Sequence, residues 1–370
     1  MGASNLRRMN IPNQIVASDY MYWAKTQQAA AFNLANSGLC ACPIKSLPVS
    51  LDDLELSGAS LYGWPPLQQA LAAHLKVPER CVVHAVGTSH ANHLAMAALL
   101  QPGDDVLIES PAYELLVSTA GYFRVNIRRF NRPAALGFQI DWDDLEAKIT
   151  SRTRLVIVTN LHNPTSALLS DASIGRIAAL CSGVGAQLLI DEVYFDAAFN
   201  CTPRTLFGLA DNIVVTSSLT KVYGLSGLRC GWVLAEPKLA ERIWRLNDLF
   251  GVIHAHPAER LSLWVLQHFE LIANRARGIL EPNRHHLNSF LASRRDLESQ
   301  PLIGGTVVFP RLISGRVPEL CELLRQKYET TVVPGHFFES PDRIRIGIGR
   351  EIAETTEGLR RLGAALDELH

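Results

Sequence analysis

Lys221 stands in the stretch SSLTKVYGLSGLRCGW, residues 217–232, between the apolar run at 213–216 and a glycine-punctuated loop that carries Arg229. An amine placed there can condense with a carbonyl to form a Schiff base. Nearby hydroxyls, loop amides and a guanidinium can hold a dianionic phosphate beside it, and Ser218, Thr220 and Arg229 supply such groups. A lone loop lysine is more often an ordinary solvated side chain. What distinguishes this one is a series of further polar residues, each placed just past an apolar run.

In AVGTSHANHL, Gly87, Thr88 and Ser89 lie between a strand-like run and a helical pattern, where free amides and two hydroxyls form an anion cradle. Ser89 equally suits a helix cap. It fits a nucleophile elbow poorly, because that turn needs glycine where Ala91 stands. In LLIDEVYFD, Asp191 directly follows a buried run, a costly position for a carboxylate unless it is paired. It could hold a protonated ring nitrogen and keep the ring able to accept electrons; a salt bridge or a cap is the alternative. TNLHNPTSA, ESPAYELL and DRIRIGIGR add Asn163 with Pro164, Tyr113, and Arg343 with Arg345.

A Schiff-base lysine, a phosphate cradle and a buried carboxylate suit pyridoxal 5′-phosphate, and this ordered set of motifs resembles the class I/II aminotransferases, the fold-type I pyridoxal phosphate enzymes. The resemblance runs from roughly Gly38 to Gly349. It implies that Lys221, Asp191 and Tyr194 are catalytic, and that Thr88, Ser89, His90, Tyr113, Asn163, Ser218 and Arg229 bind the cofactor with them. Tyr113 would stack on the pyridine, Asn163 and Tyr194 would bond its phenolic oxygen, and Tyr62 would reach the phosphate of a neighbouring subunit. Gly38, Asn163 and Arg345 would meet the substrate, Arg345 through its α-carboxylate; Arg343 suits a surface charge, although the strand alone does not separate the two. Taken singly, Tyr113 and Tyr194 also suit core tyrosines, and Asn163–Pro164 a structural turn. Two positions depart from the family pattern: Ser166 replaces a glycine, and Thr220 replaces the serine that often precedes the lysine.

The resemblance implies an aminotransferase acting on an L-amino acid and a 2-oxo acid, with Lys221 moving the Cα proton as general base and acid. A runner-up keeps the cofactor and changes the outcome to elimination, replacement or cyclisation at Cβ or Cγ. The YWAK segment and the GGTVVFPR strand also look like capreomycidine synthase-type enzymes, which cyclise a hydroxylated arginine. The family also implies a homodimer with shared active sites. Tyr22, Trp23 and a loop carrying His254 and His256 are expected to shape the substrate pocket.

The elements that must position these residues read as α/β. Seven runs, 81–86, 106–109, 125–127, 154–159, 187–191, 213–217 and 231–235, are strand-like, mostly without alternation, and helical patterns separate several of them. That predicts a mostly parallel seven-stranded sheet sandwiched by helices, aspartate aminotransferase-like, with a smaller α+β domain. The expected division is an N-terminal segment 1–45 packing on the small domain, a cofactor-binding domain 46–287 and a small domain 288–370. Helical character is expected over 22–31, along 237–277, and from 354 onward.

With 370 residues, 48% of them hydrophobic, the chain can bury a large core. A formal net charge of -1 gives no basic or acidic bias toward nucleic acid or a membrane surface. The seven cysteines are odd in number and scattered, which suits reduced thiols. MGASNLRRMN lacks the apolar centre of a signal peptide, and no apolar run approaches bilayer length, so a soluble, cytoplasmic protein is expected. Cys40–Cys42, His90–His93, His254–His256 and His285–His286 lack further ligands at metal spacing, so no metal is expected.

Overall fold

The computed structural model describes residues 17–27 and 29–369. Its centre is a seven-stranded sheet of β1 (Val82–Val86), β2 (Asp105–Ser110), β3 (Asn126–Asn131), β4 (Thr153–Thr159), β5 (Gln187–Asp191), β6 (Ile213–Ser218) and β7 (Cys230–Leu234). The spatial order is β1-β7-β6-β5-β4-β2-β3, with β7 antiparallel to both neighbours and every other pairing parallel. The strands do not alternate in polarity because both faces are covered. Leu188 and Ile190 enter one core with Leu107, Val156 and Val215, while Leu189 enters the opposite core with Ile108, Ile157 and Val214. Burying each such side chain contributes roughly 1.5–3 kcal/mol.

Helices Gly87–Leu99, Glu114–Tyr122, Trp142–Lys148 and Asp171–Gly183 make the crossovers between successive parallel strands. The carboxyl ends of six strands therefore share one edge, the usual place for a ligand in such sheets. Since β7 runs the other way, its first residues lie on that same edge, which is how Arg229 comes to face Thr88.

A second, smaller sheet orders β8 (Val307–Val308), β10 (Ile344–Gly347) and β9 (Val333–Pro334), antiparallel throughout, with helix Val317–Lys327 against β9 and helix Ile352–Glu368 packed on that helix. Phe32–Asn33 pairs in parallel with Thr330–Thr331, tying the early chain to this module. Among the described residues, no helix is long and apolar enough to cross a membrane, and no group of three His, Cys, Asp or Glu could hold a metal ion.

Two helix expectations are corrected. The N-terminal helix spans Asp19–Thr26 rather than 22–31, because Ser18 caps it by accepting from the Met21 amide at 3.0 Å, and residues 29–30 are not helical. The stretch 237–277 is three helices: Pro237–Asn247, His256–Gln267 and Phe269–Ser293. The first stops where the Asn247 carbonyl accepts from Phe250, Gly251 and Val252 in turn, and Pro257 begins the next. The third runs through position 287 unbroken, with Pro282 inside it.

Candidate active site

Lys221 follows the end of β6 and lies half-buried in the wall of a cavity of about 280 Å³. Its Nζ donates to Ser37 Oγ at 3.3 Å, and Tyr194 Oη donates to the same oxygen at 2.7 Å. Burial, with help from the Arg345 and Arg229 charges, holds the Lys221 amine below its ordinary pKa, partly offset by Tyr20 and Asp191. Gly38 packs on Lys221, where a Cβ would lie 3.1 Å from its Cδ and 3.2–3.3 Å from its backbone, and the Leu39 amide donates to the Lys221 carbonyl at 2.8 Å.

One end of the cavity is an anion cradle. Thr88, in the first turn of the helix after β1, donates through Oγ1 to Ser218 Oγ at 2.8 Å, and Ser89, Thr220 and Arg229 line the same end. Thr220 Oγ1 is buried without a hydrogen-bond partner. Arg229 takes a left-handed φ of +51° and spans the cradle by donating to the Val86 carbonyl at 3.1 Å. Gly87 is required beneath it: a Cβ there would stand 2.3 Å from Arg229 Nη2.

Asp191 closes β5 and is 3% exposed, yet no described cation lies within ion-pair distance of it. It is held by neutral donors, Asn92 Nδ2 at 2.8 Å and the Val193 amide at 3.0 Å, and Asn92 is itself fixed by Thr216 Oγ1 at 2.6 Å. Burial pushes the Asp191 carboxyl up to about 6, against those two bonds. A site built this way lacks a positive group, and a protonated ring nitrogen is such a group.

On the facing side, Arg345 is fully buried in β10, again without a carboxylate partner among the described residues. Nη1 donates to Asn163 Oδ1 at 2.9 Å, Nη2 donates to Tyr20 Oη at 2.8 Å and to the Ala35 carbonyl at 3.1 Å, and Nε has no partner. Asn163 and Tyr20 both line the cavity. Beneath Asn163 runs a buried chain in which its amide donates to Thr159 Oγ1 at 3.0 Å, and Thr159 Oγ1 donates to Glu109 at 2.6 Å. Arg132 Nη1 pairs with Glu109 at 2.6 Å, both fully buried.

The structure thus gathers Thr88, Ser89, Tyr113, Asn163, Asp191, Tyr194, Ser218, Lys221 and Arg229 around one cavity, with Arg345 and Gly38 directly behind its walls. Others fall elsewhere. His90 turns its ring back to accept from the Val86 amide at 3.1 Å. Tyr62 stands half-exposed, donating to Asp248 at 2.9 Å, and does not line the cavity. Tyr22 is 68% exposed and Trp23 packs at a tilt on the Phe337 ring, so the pocket-forming face of the N-terminal helix is instead Tyr20, Met21, Ala24 and Lys25, set by where Ser18 starts the helix. His254 packs on His84, and His256 bonds Glu259 at 3.0 Å, both away from the cavity. The sequence reading missed Ser37, Tyr20, Asn92, Thr159 and the Glu109–Arg132 pair. Asn92 carried a signal, lying one helical turn after Thr88 and so on the same face.

A half-buried amine, an anion cradle and an uncompensated buried carboxylate converge at the carboxyl edge of this sheet, and the residues present fit pyridoxal 5′-phosphate. That combination defines a fold-type I pyridoxal phosphate enzyme. The family model described as aminotransferase class I and II matches residues 55–362, and the chain belongs to that family. It is 31% identical over 320 residues to capreomycidine synthase of Streptomyces vinaceus, covering 85% of this chain and 82% of that protein. It is 28% identical over 327 residues to a probable aspartate/prephenate aminotransferase of Aquifex aeolicus, covering 83% and 82%. Among solved structures, a pyridoxal phosphate-dependent aminotransferase from Streptococcus suis superposes with a TM-score of 0.88 at 22% identity, over 98% of this chain and 99% of that one. The pyridoxal phosphate-dependent cyclase OrfR superposes at 0.85 with 23% identity, over 99% and 100%.

Proposed function

We propose that the chain is an aminotransferase that moves the amino group of an L-amino acid to a 2-oxo acid. The observation that carries this is Lys221 Nζ, an amine held by a neutral hydroxyl and kept below its ordinary pKa by burial, beside a carboxylate without a counter-cation. Bound pyridoxal phosphate supplies a carbonyl for the amine and a ring that takes up the electron pair left at Cα. Thr88, Ser89, Ser218 and Arg229 hold its phosphate, Asp191 its ring nitrogen, Tyr113 its face, and Asn163 and Tyr194 its phenolic oxygen. Lys221 Nζ would take the Cα proton as general base and give it up as general acid to the cofactor carbon. Arg345 binds the α-carboxylate once the Tyr20 hydroxyl yields Nη2.

A second reading, cyclisation or elimination at Cβ or Cγ, is favoured by the 31% identity to capreomycidine synthase. The charges around the cavity weigh against a guanidinium-bearing substrate: they are Lys25, Lys221 and Arg229, and the lining carboxylate, Asp191, faces the ring-nitrogen position. Borohydride trapping followed by peptide mapping should label Lys221. A panel of amino acids, read by mass spectrometry, should then yield 2-oxo acids with the side chain intact; a cyclised or eliminated product would establish the second reading.

The working unit we infer is a homodimer, since Leu51, Leu56, Leu61, Leu249, Phe250 and Val252 are exposed apolar side chains, Leu61 beside Tyr62 and Leu249 beside its hydrogen-bond partner Asp248, and Tyr62 would then reach a partner's cradle. Sedimentation at low micromolar concentration should give twice the chain mass. Residues 46–287 act as the cofactor-holding part and 288–370, with the described part of 1–45, as the part that brings Arg345 to it. The seven cysteines are free thiols, which supports a reducing, cytoplasmic setting.

A further inference from the structure

A second cavity is larger than the catalytic one. A space of about 460 Å³ opens behind the Asn163 turn and shares no lining residue with the active-site cavity. Its walls are mainly apolar, with Leu161, Leu302 and the rings of Phe138 and Phe309 among them. Into it points one guanidinium, Arg343, stacked 5.2 Å from the Phe138 ring and 5.8 Å from the Phe309 ring. Arg343 Nη1 donates to the Phe309 carbonyl at 2.8 Å, and among the described residues no carboxylate lies within ion-pair distance of the group. Asp342 and Glu298 act on it from further off, and Glu298 is already paired with Arg311. The Phe138 ring is not there by default. Its backbone takes a left-handed φ of +59°, and its carbonyl is anchored by the buried Arg132 Nε at 2.7 Å.

An unpaired guanidinium clamped between aromatic faces at the wall of an apolar cavity recognises one chemical type, an anion with an apolar body. We propose that this cavity is a second binding site, for a small carboxylic acid carrying an aromatic or branched apolar group, with Arg343 as its carboxylate receptor. The site lies between the two segments that form the catalytic carboxylate pocket. Ser166 lines it three residues after Asn163, and Arg343 precedes Arg345 by two residues along the same chain segment. Occupation therefore bears on the Asn163–Arg345 contact, and an effect on kcat separate from substrate competition is expected.

The test titrates 3-phenylpropionate, which carries neither an amino nor a 2-oxo group, into the holoenzyme by calorimetry, with 3-phenylpropanamide as the uncharged control. Support is saturable binding of one acid per chain, weakened about tenfold or more in Arg343→Gln, unchanged in Arg345→Gln, and weak for the amide. Leu302→Trp, which fills the cavity without touching the charge, should block binding as well. Cofactor absorbance should stay unmoved, and inhibition or activation should not be relieved by saturating amino acid. The proposal is overturned if Arg345→Gln abolishes binding while Arg343→Gln does not, because the acid then occupies the catalytic pocket. It also fails if the amide binds equally well or if no saturable binding is found.

Discussion

Two buried pairs of opposite charge lie within this molecule, and they are built on opposite principles. Glu109 and Arg132 are both fully buried and joined at 2.6 Å, with Thr159 adding two bonds to the carboxylate. Asp191 and Arg345 are about as buried, yet the hydrogen-bond partners described for each are neutral: Asn92 and the Val193 amide for one, Asn163, Tyr20 and the Ala35 carbonyl for the other. Leaving a buried charge without its counter-charge costs several kcal/mol, so the chain tolerates it only where a ligand completes the pair. The first pair is part of the scaffold. On the function proposed above, the second is two halves of a site whose missing partners would be a ring cation and a carboxylate.

The contrast can be broken most strongly at Glu109. Glu109→Ala leaves Arg132 buried and uncompensated, and a loss of about 3–5 kcal/mol is expected in urea or thermal unfolding. Arg345→Gln should behave in the opposite sense, with folding stability unchanged or raised because an unpaired charge is removed. Its cost falls on substrate: KM for the amino acid should rise about 10- to 150-fold, the equivalent of roughly 1.5–3 kcal/mol for hydrogen bonds to a charged group. If Arg345→Gln destabilised the protein as much as Glu109→Ala did, the distinction between scaffold and site would collapse.

Asp191 sharpens the comparison through pH. Its folded value of about 6 lies above the ordinary 3.8, so the folded chain holds this proton more tightly than the unfolded chain does. Stability from this group is therefore complete below about pH 4 and is lost as pH rises toward 6, by on the order of 3 kcal/mol. Asp196 and Glu192 are also raised by burial, to about 6 and about 8, and titrate in the same region. Measuring wild type minus Asp191→Asn without cofactor cancels them, apart from the part of the Glu192 shift that the Asp191 charge causes. That difference should fall between pH 4 and 6 and then level off, and adding pyridoxal phosphate should restore it at neutral pH.

The half of the site that sits on the large sheet was legible because chemistry and element boundary coincide there. Asp191 ends β5, Lys221 follows β6, and Thr88 opens a helix, so each polar residue breaks an apolar run at a place the run itself announces. Six of the seven strands were readable for the same reason; of the edge strand β3, Asn126–Asn131, only 126–127 fell within the expected run 125–127, because Arg128, Arg129 and Asn131 interrupt its apolar pattern. What was not legible depends on contacts far apart in sequence. Ser37 meets Tyr194 across 157 positions, and Tyr20 meets Arg345 across 325. The N-terminal helix shows the smallest such failure. Its residues were named, but its register was set by the Ser18 cap, and that turned Tyr20 rather than Tyr22 inward. The split of Arg343 from Arg345 was also unreadable, since a strand pattern shows which face a residue shares and not what stands opposite.

The least costly change tests the departure at Ser166, which stands where the family pattern has glycine. Ser166 adopts a left-handed φ of +60°, a conformation that costs a side-chain residue roughly 1–2 kcal/mol and costs glycine almost nothing. Against this, Ser166 Oγ donates to the Val307 carbonyl at 2.7 Å and rests on Gly305, where a Cβ would come within 2.4 Å of that oxygen. The hydrogen bond returns roughly 0.5–1.5 kcal/mol and joins the Asn163 turn to β8, the neighbour of the strand that carries Arg345. Ser166→Gly relieves the backbone and breaks the tie, so its effect on folding stability should stay within about 1 kcal/mol in either direction. The two contributions separate in kinetics. If the tie aligns Asn163 with Arg345, KM for the amino acid rises a few-fold in Ser166→Gly and is not recovered in Ser166→Ala, which keeps the strain without the bond. An unchanged KM in both variants would show that the turn is held by the Glu109–Thr159 chain alone.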